Sequence, residues 1–271
     1  MKRPGPPILS SALLPALLLA LAACGGEAPE APRPPSAETL EGIAADPGAP
    51  REELARKVDA LFTRPGIGET RAVIVMHGGR IVAERYAAGY GEETRFAGWS
   101  MTKTVTGVMI GMLVSEGKLR LDETPPIPNW QRSGDPRGGI TLRQLLQMRS
   151  GLRHTEQGEP AYDSDTVRML FLQGRDDMAA WAEAQPLEAE PGAKFEYSTA
   201  TSVILADIAA HVLTPASDPA TRRAEVDTFL KARLFGPLGM YATVPEYDAA
   251  GTFIGGSMIH APARDWARFG E

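Results

Sequence analysis

Ser100 and Lys103 are the residues whose types and spacing point most directly to chemistry. They stand three residues apart where a helical pattern begins, so both side chains share one face of the first turn. A serine hydroxyl is a weak nucleophile until a neighbouring base removes its proton, and a lysine that loses its charge on burial can be that base. The helix N-terminus adds partial positive charge where an oxyanion would develop. The pair therefore predicts acyl transfer with Ser100 as the nucleophile and Lys103 beside it.

The Ser-x-x-Lys spacing alone has a second explanation, an N-cap serine followed by a surface lysine. The chain offers an internal control, because Ser115 and Lys118 repeat the spacing. That second pair lies at the C-terminal end of the same helix, where Gly117 predicts a stop and the helix dipole has the opposite sign. We therefore expect the first pair, and not the second, to act together.

The elements that position this pair are predicted from hydrophobic spacing. Two β-branched runs within residues 71–86 flank Gly78-Gly79 and predict a hairpin. The helix from Ser100 is expected to bury a face made of Val105, Val108, Met109, Met112 and Leu113. Other helices are predicted at 52–62, 140–148, 166–172, 178–184, around 203–212 and at 224–234, with a strand at 251–260 leading into a helix at 261–269. This order predicts an α+β fold, an antiparallel sheet flanked by helices with a mostly helical insertion.

Four further observations concern segments that follow one another along the chain: residues 96–107, which include Ser100 and Lys103, and residues 140–152, 191–199 and 263–270. Together, and in this order, they resemble the class C β-lactamase-like serine hydrolases of the β-lactamase and penicillin-binding-protein superfamily. The last segment is most similar to the nylon-oligomer (6-aminohexanoate-dimer) hydrolase and esterase branch. The resemblance covers about residue 53 to the end of the chain and implies a β-lactamase/transpeptidase-like fold.

The same resemblance implies that Tyr197 is the third catalytic residue, whose phenol moves a proton between Ser100, Lys103 and the leaving group. The alternative is a core tyrosine with a satisfied hydroxyl. The family's Tyr-x-Asn reads Tyr197-Ser198-Thr199 here, and Thr199 lacks the carboxamide that contacts the substrate in β-lactam-acting members. We therefore expect a serine hydrolase of small esters or amides (an esterase, amidase or D-peptidase) rather than a β-lactamase.

The family's closing Lys/His-Thr/Ser-Gly strand, which lines the pocket and supplies an oxyanion-hole amide, is not found before Glu271. We therefore expect a β-lactamase-like domain over residues 53–271 that is truncated at its C-terminus and inactive in that form. His260 lacks the glycine of that motif and is expected to be a strand-end histidine. A loop that could wall the pocket or simply face solvent carries His154, Tyr162, Asp163 and Asp165.

The N-terminal residues predict export and anchoring. Residues 1–23 are expected to be a signal peptide, because Lys2 and Arg3 precede an apolar run too short and too interrupted for a membrane span. The run ends in Leu21-Ala22-Ala23-Cys24, which resembles the bacterial lipobox and implies that Cys24 is lipidated; ordinary secretory cleavage nearby is the alternative. Residues 24–52, rich in Pro, Ala and Glu, are expected to be a disordered tether. The protein is thus expected in the bacterial cell envelope, exported and lipid-anchored to a membrane, facing the periplasm or in the outer membrane.

Several other classes of function are disfavoured. A net charge of -6 gives no sign of the basic surface that binds nucleic acid. One cysteine and four histidines without ligand spacing indicate no metal, and no nucleotide-binding loop is seen, so no cofactor is expected. An α/β-hydrolase would carry Gly-x-Ser-x-Gly, and Thr102 stands at the second glycine position.

A non-catalytic envelope module that binds or senses ligands on the same fold is the alternative from another functional class. A site without activity has no chemical reason to keep Ser100, Lys103 and Tyr197 together, which argues against that alternative. The substrate's acyl and leaving groups and the oligomeric state do not follow from the sequence.

Overall fold

The computed structural model describes residues 33–271 of the 271-residue chain. The predicted signal peptide (1–23) and the predicted lipidation site at Cys24 lie outside these residues. Within residues 33–271, no helix is both long and apolar enough to cross a membrane.

The N-terminal part of the described chain consists of two helices and a hairpin. The helices are α1 (Ala37–Glu41) and α2 (Arg51–Thr63), and the antiparallel strands are β1 (Ala72–His77) and β2 (Arg80–Tyr86). Gly78 and Gly79 form the turn, both with positive φ, as their sequence predicted. These elements enclose a small core of their own, formed by Ile43, Ala55, Val58 and Ala83.

The structure corrects the predicted tether at its C-terminal end. Residues 36–44 are folded, because Leu40 and Ile43 pack into the small core and Ile43 is only 4% exposed. The backbone also pairs with β2: the Ala44 amide donates to the Val82 carbonyl, and the Glu84 amide donates to the Gly42 carbonyl, each at 3.0 Å. Two apolar side chains and these hydrogen bonds outweigh the polar composition on which the tether prediction depended.

A second, three-stranded sheet lies next to the predicted nucleophile. Its strands are β3 (Arg95–Ala97), β4 (Val244–Pro245) and β5 (Ile259–Pro262), arranged in the order β3-β5-β4 with antiparallel pairing. The strand predicted over residues 251–260 is wrong in most of its length, since residues 251–258 form turns and irregular backbone before β5 begins. Glycines at 251, 255 and 256 explain the difference, because they weaken strand formation and allow close backbone approach.

The remaining elements are helical. They are α3 (Thr102–Ser115), α4 (Leu142–Leu146), α5 (Asp165–Phe171), α6 (Met178–Glu183), α7 (Thr199–Leu213), α8 (Pro219–Leu230) and α9 (Ala263–Gly270). All correspond to predicted helices, with shifted ends. On α3, Val105, Met109 and Leu113 are buried as expected, whereas Val108 is exposed.

Helix α7 is the centre of the larger core. Every residue from Thr199 to Ala210 is buried, so the helix is covered on all sides rather than along one stripe. It packs against α3, α4, α5, α6 and α8. This packing holds the first turn of α7 next to the beginning of α3. The whole is an α+β arrangement of small antiparallel sheets and packed helices, as the sequence predicted.

Candidate active site

Ser100 lies in a tight turn between β3 and α3. The chain leaves β3, passes Gly98 and enters a single 3₁₀ turn, Trp99–Met101, from which α3 continues. A Cβ atom at Gly98 would lie 2.3 Å from the Trp266 ring, so only glycine allows this close packing. Trp99 has a φ of 44°, a left-handed conformation that is unusual for a bulky residue and is often found at functional sites. The turn leaves Ser100 exposed.

Lys103 lies beside Ser100 and is held from three directions. Its Nζ is 3.1 Å from Ser100 Oγ, 2.8 Å from Thr199 Oγ1 and 2.8 Å from the Gly256 carbonyl oxygen. The three partners come from the turn before α3, from the first residue of α7 and from residues 251–258, which we call the glycine segment before β5. The structure therefore brings Ser100 and Lys103 together, and two distant segments fix the position of the amine.

The second Ser-x-x-Lys pair behaves as the internal control predicted. Ser115 Oγ donates to the Met112 carbonyl at 2.8 Å, and Lys118 Nζ pairs with a Glu116 carboxylate oxygen at 2.9 Å. The two side chains have separate partners. The same sequence spacing thus gives a contact only where the chain enters the helix.

Tyr197 lies close to Lys103. Lys103 Nζ is 5.1 Å from the centre of the Tyr197 ring, and the side chain is 41% exposed, which is unlike a core tyrosine. The residue directly precedes Ser198, whose hydroxyl caps α7 by accepting a hydrogen bond from the Thr201 amide. Tyr197 is thus placed next to Lys103, while its part in proton transfer stays a prediction.

Thr199 has a role in the site that the sequence did not predict. Its hydroxyl contacts Lys103 Nζ and also lies 2.6 Å from a Glu156 carboxylate oxygen. The Thr199 backbone amide donates to the other Glu156 oxygen at 2.8 Å. Thr199 therefore links the lysine to an acid on another loop.

Glu156 is the member of this network that sequence reasoning missed. Burial opposes its ionisation, but hydrogen bonds from His154, the Thr199 hydroxyl and the Thr199 amide outweigh this and lower the pKa of Glu156 to about 2. The partial positive charge at the α7 N-terminus acts in the same direction. No sequence spacing could identify this acid, because it lies 43 residues from Thr199.

The four loop residues that could wall the pocket have different environments. His154 is buried, and its Nε2 lies 2.8 Å from Glu156. Asp165 is buried and accepts a hydrogen bond from the Thr155 amide, while Asp163 pairs with Arg168 at 3.2 Å. Tyr162 is exposed. Of the four, His154 is the one that joins the network around Lys103.

His260 lies in β5, as expected of a strand-end histidine. Its Nε2 is 2.6 Å from a Glu246 carboxylate oxygen, and Glu246 adjoins β4. Backbone pairing of Val244 with His260 and of Pro245 with Ile259 joins these two strands. His260 has no contact with Ser100 or Lys103 among the interactions of the described residues.

These observations define a class of protein. A serine and a lysine paired at the entry to a helix, between a small antiparallel sheet and a helical region, are the arrangement of the serine β-lactamases and penicillin-binding proteins. The chain belongs to the beta-lactamase family, whose family model matches residues 54–270.

Three relatives illustrate the likeness. The 6-aminohexanoate-dimer hydrolase of Paenarthrobacter ureafaciens is 28% identical in an alignment 250 residues long, which covers 83% of this chain and 59% of that protein. A Bacillus anthracis structure with the provisional name 6-aminohexanoate-dimer hydrolase is 25% identical, with a TM-score of 0.62 over 88% of this chain and 61% of that one. A class C β-lactamase in complex with cefoxitin is 19% identical, with a TM-score of 0.52 over 73% and 58% of the two chains, and shares the fold. The match to the curated relative from Paenarthrobacter ureafaciens therefore spans 59% of that protein's length.

Proposed function

We propose that the protein is a serine hydrolase that cleaves small esters or amides through an acyl-enzyme on Ser100. The observation that carries this proposal is the 3.1 Å contact between Lys103 Nζ and Ser100 Oγ, in a position where Nζ has two further oxygen partners. A solvated surface lysine has no need of three oxygen partners within the protein. An amine fixed against an exposed serine hydroxyl is what activation of that hydroxyl requires.

In the proposed acylation step, Ser100 Oγ forms a bond to the carbonyl carbon of the substrate while Lys103 accepts the hydroxyl proton. Tyr197, next to Lys103, passes a proton to the leaving oxygen or nitrogen as the bond to the leaving group breaks. Water then attacks the acyl carbon and loses its proton to the same groups, and Ser100 leaves with its hydroxyl restored. The N-terminal end of α3 stabilises negative charge on the carbonyl oxygen during both steps.

The substrate class is proposed to be a linear ester or amide rather than a β-lactam. Thr199 stands where β-lactam-acting members carry an asparagine, and its hydroxyl already contacts both Lys103 and Glu156. It therefore has little capacity left to bind a substrate amide. The name of the Paenarthrobacter ureafaciens relative, a 6-aminohexanoate-dimer hydrolase, supports an open-chain amide as one candidate.

The test is turnover of a short p-nitrophenyl ester and of the 6-aminohexanoate dimer by the full-length protein and two serine variants. Ser100→Ala is expected to reduce hydrolysis to the background rate. Ser115→Ala is the matched control, since Ser115 belongs to the other Ser-x-x-Lys pair, and it is expected to retain wild-type rates. Equal activity of Ser100→Ala and wild type would contradict the proposal, and no turnover by any form would favour the non-catalytic module.

We further propose that the protein is exported and anchored in the cell envelope by lipid on Cys24. The support is the order of Lys2 and Arg3, the apolar run and the segment Leu21-Ala22-Ala23-Cys24. Acyl chains would supply the membrane affinity that the polar residues after Cys24 do not have. This proposal concerns location and is independent of the hydrolase chemistry.

The anchoring proposal is tested by metabolic labelling with an alkyne fatty acid in a bacterial host, followed by membrane fractionation. Wild type is expected to carry label and to sediment with membranes, whereas Cys24→Ala is expected to lose both. Ala23→Gly keeps a small residue before the cysteine and serves as the control. A Cys24→Ala variant that stays in the membrane fraction would show that lipid on this cysteine is not the anchor.

A further inference from the structure

Glu156 is a charged side chain at the centre of the site that the proposed chemistry does not use. Its side chain is 23% exposed, and its two carboxylate oxygens contact His154 Nε2, the Thr199 amide and the Thr199 hydroxyl. Within residues 33–271, no hydrogen bond or ion pair joins it directly to Ser100 or Lys103. The hydrogen-bonded connection from Glu156 to Lys103 runs through the Thr199 hydroxyl.

The direction of each hydrogen bond follows from what the groups can donate. With its pKa near 2, Glu156 is ionised at neutral pH and can only accept. The Thr199 hydroxyl therefore gives its single hydrogen to Glu156, and its oxygen can only accept from Lys103. The Gly256 carbonyl can also only accept.

These constraints determine how the amine of Lys103 is oriented. Two N–H bonds of Nζ point to Thr199 Oγ1 and to the Gly256 carbonyl, both at 2.8 Å. The third position on Nζ faces Ser100 Oγ at 3.1 Å. In a neutral lysine that third position is the lone pair, which is the part of the amine that must receive the serine proton.

We propose that Glu156 is a positioning residue that acts through Thr199 to aim the Lys103 lone pair at Ser100. The inference rests on the proposed hydrolase function and adds to it a residue that sets the geometry of the base. Without the carboxylate, the Thr199 hydroxyl is free to donate towards Lys103, and the amine can then rotate away from Ser100.

His154 supports Glu156 from the other side. Because an ionised carboxylate only accepts, His154 Nε2 must carry the hydrogen that lies between them, which assigns the tautomer. The Thr166 hydroxyl is a further neighbour of this nitrogen, at 3.2 Å. Among the described residues, His154 Nδ1 is buried and has no hydrogen-bond partner, as suits a ring nitrogen that carries no hydrogen.

The experiment compares Thr199→Ser, Thr199→Val and Glu156→Gln in the full-length protein, with kcat, KM and thermal unfolding measured for each. Thr199→Ser keeps the hydroxyl and is expected to keep kcat within about threefold of wild type. Thr199→Val keeps the shape but not the hydroxyl, and we expect kcat to fall by about 100-fold with little change in KM. Glu156→Gln is expected to lower kcat to a similar extent.

Asp59→Asn is the matched control, because Asp59 is a partly buried acid on α2 that holds the start of α1 by accepting hydrogen bonds from the Ser36 amide and the Thr39 hydroxyl. It is expected to lower the unfolding temperature without lowering kcat. If Thr199→Val and Thr199→Ser are equally active, the proposal is overturned, and this comparison holds even if Glu156→Gln does not fold.

Labelling separates this inference from the proposed function. The rate at which a fluorophosphonate reacts with Ser100 is measured for wild type, Thr199→Val and Glu156→Gln. Slow labelling of the two variants beside fast labelling of wild type supports the positioning role. Wild-type labelling rates in both variants would overturn that role alone, whereas absence of labelling in wild type would overturn the hydrolase proposal on which it rests.

Discussion

Lys103 Nζ and the Gly256 carbonyl oxygen lie 2.8 Å apart, although 153 residues separate them in the sequence. Gly256 can reach the lysine because it also packs directly on Thr199: a Cβ atom there would lie 2.7 Å from Thr199 Cγ2 and 2.9 Å from the Thr199 carbonyl oxygen. The glycine segment before β5 therefore contacts two members of the site at once. Its conformation sets one of the acceptors of the amine.

Gly256→Ala is therefore expected to lower kcat by about tenfold or more, because the added methyl group must displace Thr199 or the carbonyl that holds Lys103. Gly111→Ala is the control, since Gly111 is exposed on α3 and a Cβ atom there meets nothing within 4 Å. It should raise the free energy of unfolding by about 0.5–1 kcal/mol and leave kcat unchanged. Ester hydrolysis and urea unfolding of both variants test this, and an active, stable Gly256→Ala would contradict it.

Lys103→Ala and Tyr197→Phe are each expected to lower kcat by about 100-fold or more while the protein remains folded, since both residues are assigned to proton transfer. Tyr162→Phe removes the hydroxyl of an exposed loop tyrosine and is expected to have no effect. Steady-state kinetics with circular dichroism as the folding check distinguish these cases. Near wild-type turnover in both Lys103→Ala and Tyr197→Phe would favour a non-catalytic module.

Glu183 should make stability depend on pH. Burial, with repulsion from Asp207 adding to it, raises the pKa of Glu183 from 4.5 to about 8. The carboxyl of Glu183 therefore binds its proton more tightly in the folded state than in the unfolded state. Protonated Glu183 makes its full contribution to stability below about pH 4.5, and this contribution is lost as pH rises through 8. The slope is at most about 1.4 kcal/mol per pH unit.

Glu183→Gln removes this titration and keeps the size of the side chain. Urea unfolding of wild type and variant at pH 5, 6.5 and 8 should therefore show the variant gaining stability relative to wild type as the pH rises. If the difference between the free energies of unfolding of variant and wild type is the same at all three pH values, the assignment of a protonated Glu183 in the folded state is wrong.

Arg222 of α8 and Asp207 of α7 form a buried ion pair, and Asp207 also pairs with His211. Arg222→Ala removes a buried cation from Asp207 and leaves His211 and the Thr252 hydroxyl as its partners, so we expect it to cost about 3 kcal/mol of stability. Arg175→Ala breaks an exposed pair with Asp176 and should change stability by less than about 1 kcal/mol. Thermal unfolding of the two variants provides the comparison. Equal losses of stability in both would contradict the expectation that the buried pair contributes more than the exposed one.

The parts of the fold that depend on local spacing could be predicted from sequence. The hairpin around Gly78-Gly79 and the pairing of Ser100 with Lys103 both follow from residues close together in the chain. The Tyr197 assignment came from family resemblance, and the structure places the residue next to Lys103. Its role, that of Cys24, and the expected further strands at the C-terminus stay predictions.

Other features depend on packing between distant segments and could not be predicted from spacing in the sequence. Glu156 meets Thr199 only because the loop after residue 152 folds back on the α7 N-terminus. Ile43 is buried because it pairs with Ala83 of β2, which overrides the polar composition around it. The predicted strand over residues 251–260 failed because its glycines approach Thr106 and Thr199 closely instead of extending a sheet.

The most direct test of the account is the position of the covalent adduct after the full-length protein reacts with a fluorophosphonate. We expect peptide mass spectrometry to find one modified serine, Ser100, with no label when Ser100→Ala is treated in the same way and unchanged label in Ser115→Ala. An adduct on another serine that persists in Ser100→Ala, or a fully active Ser100→Ala, would contradict the assignment of Ser100 as the nucleophile.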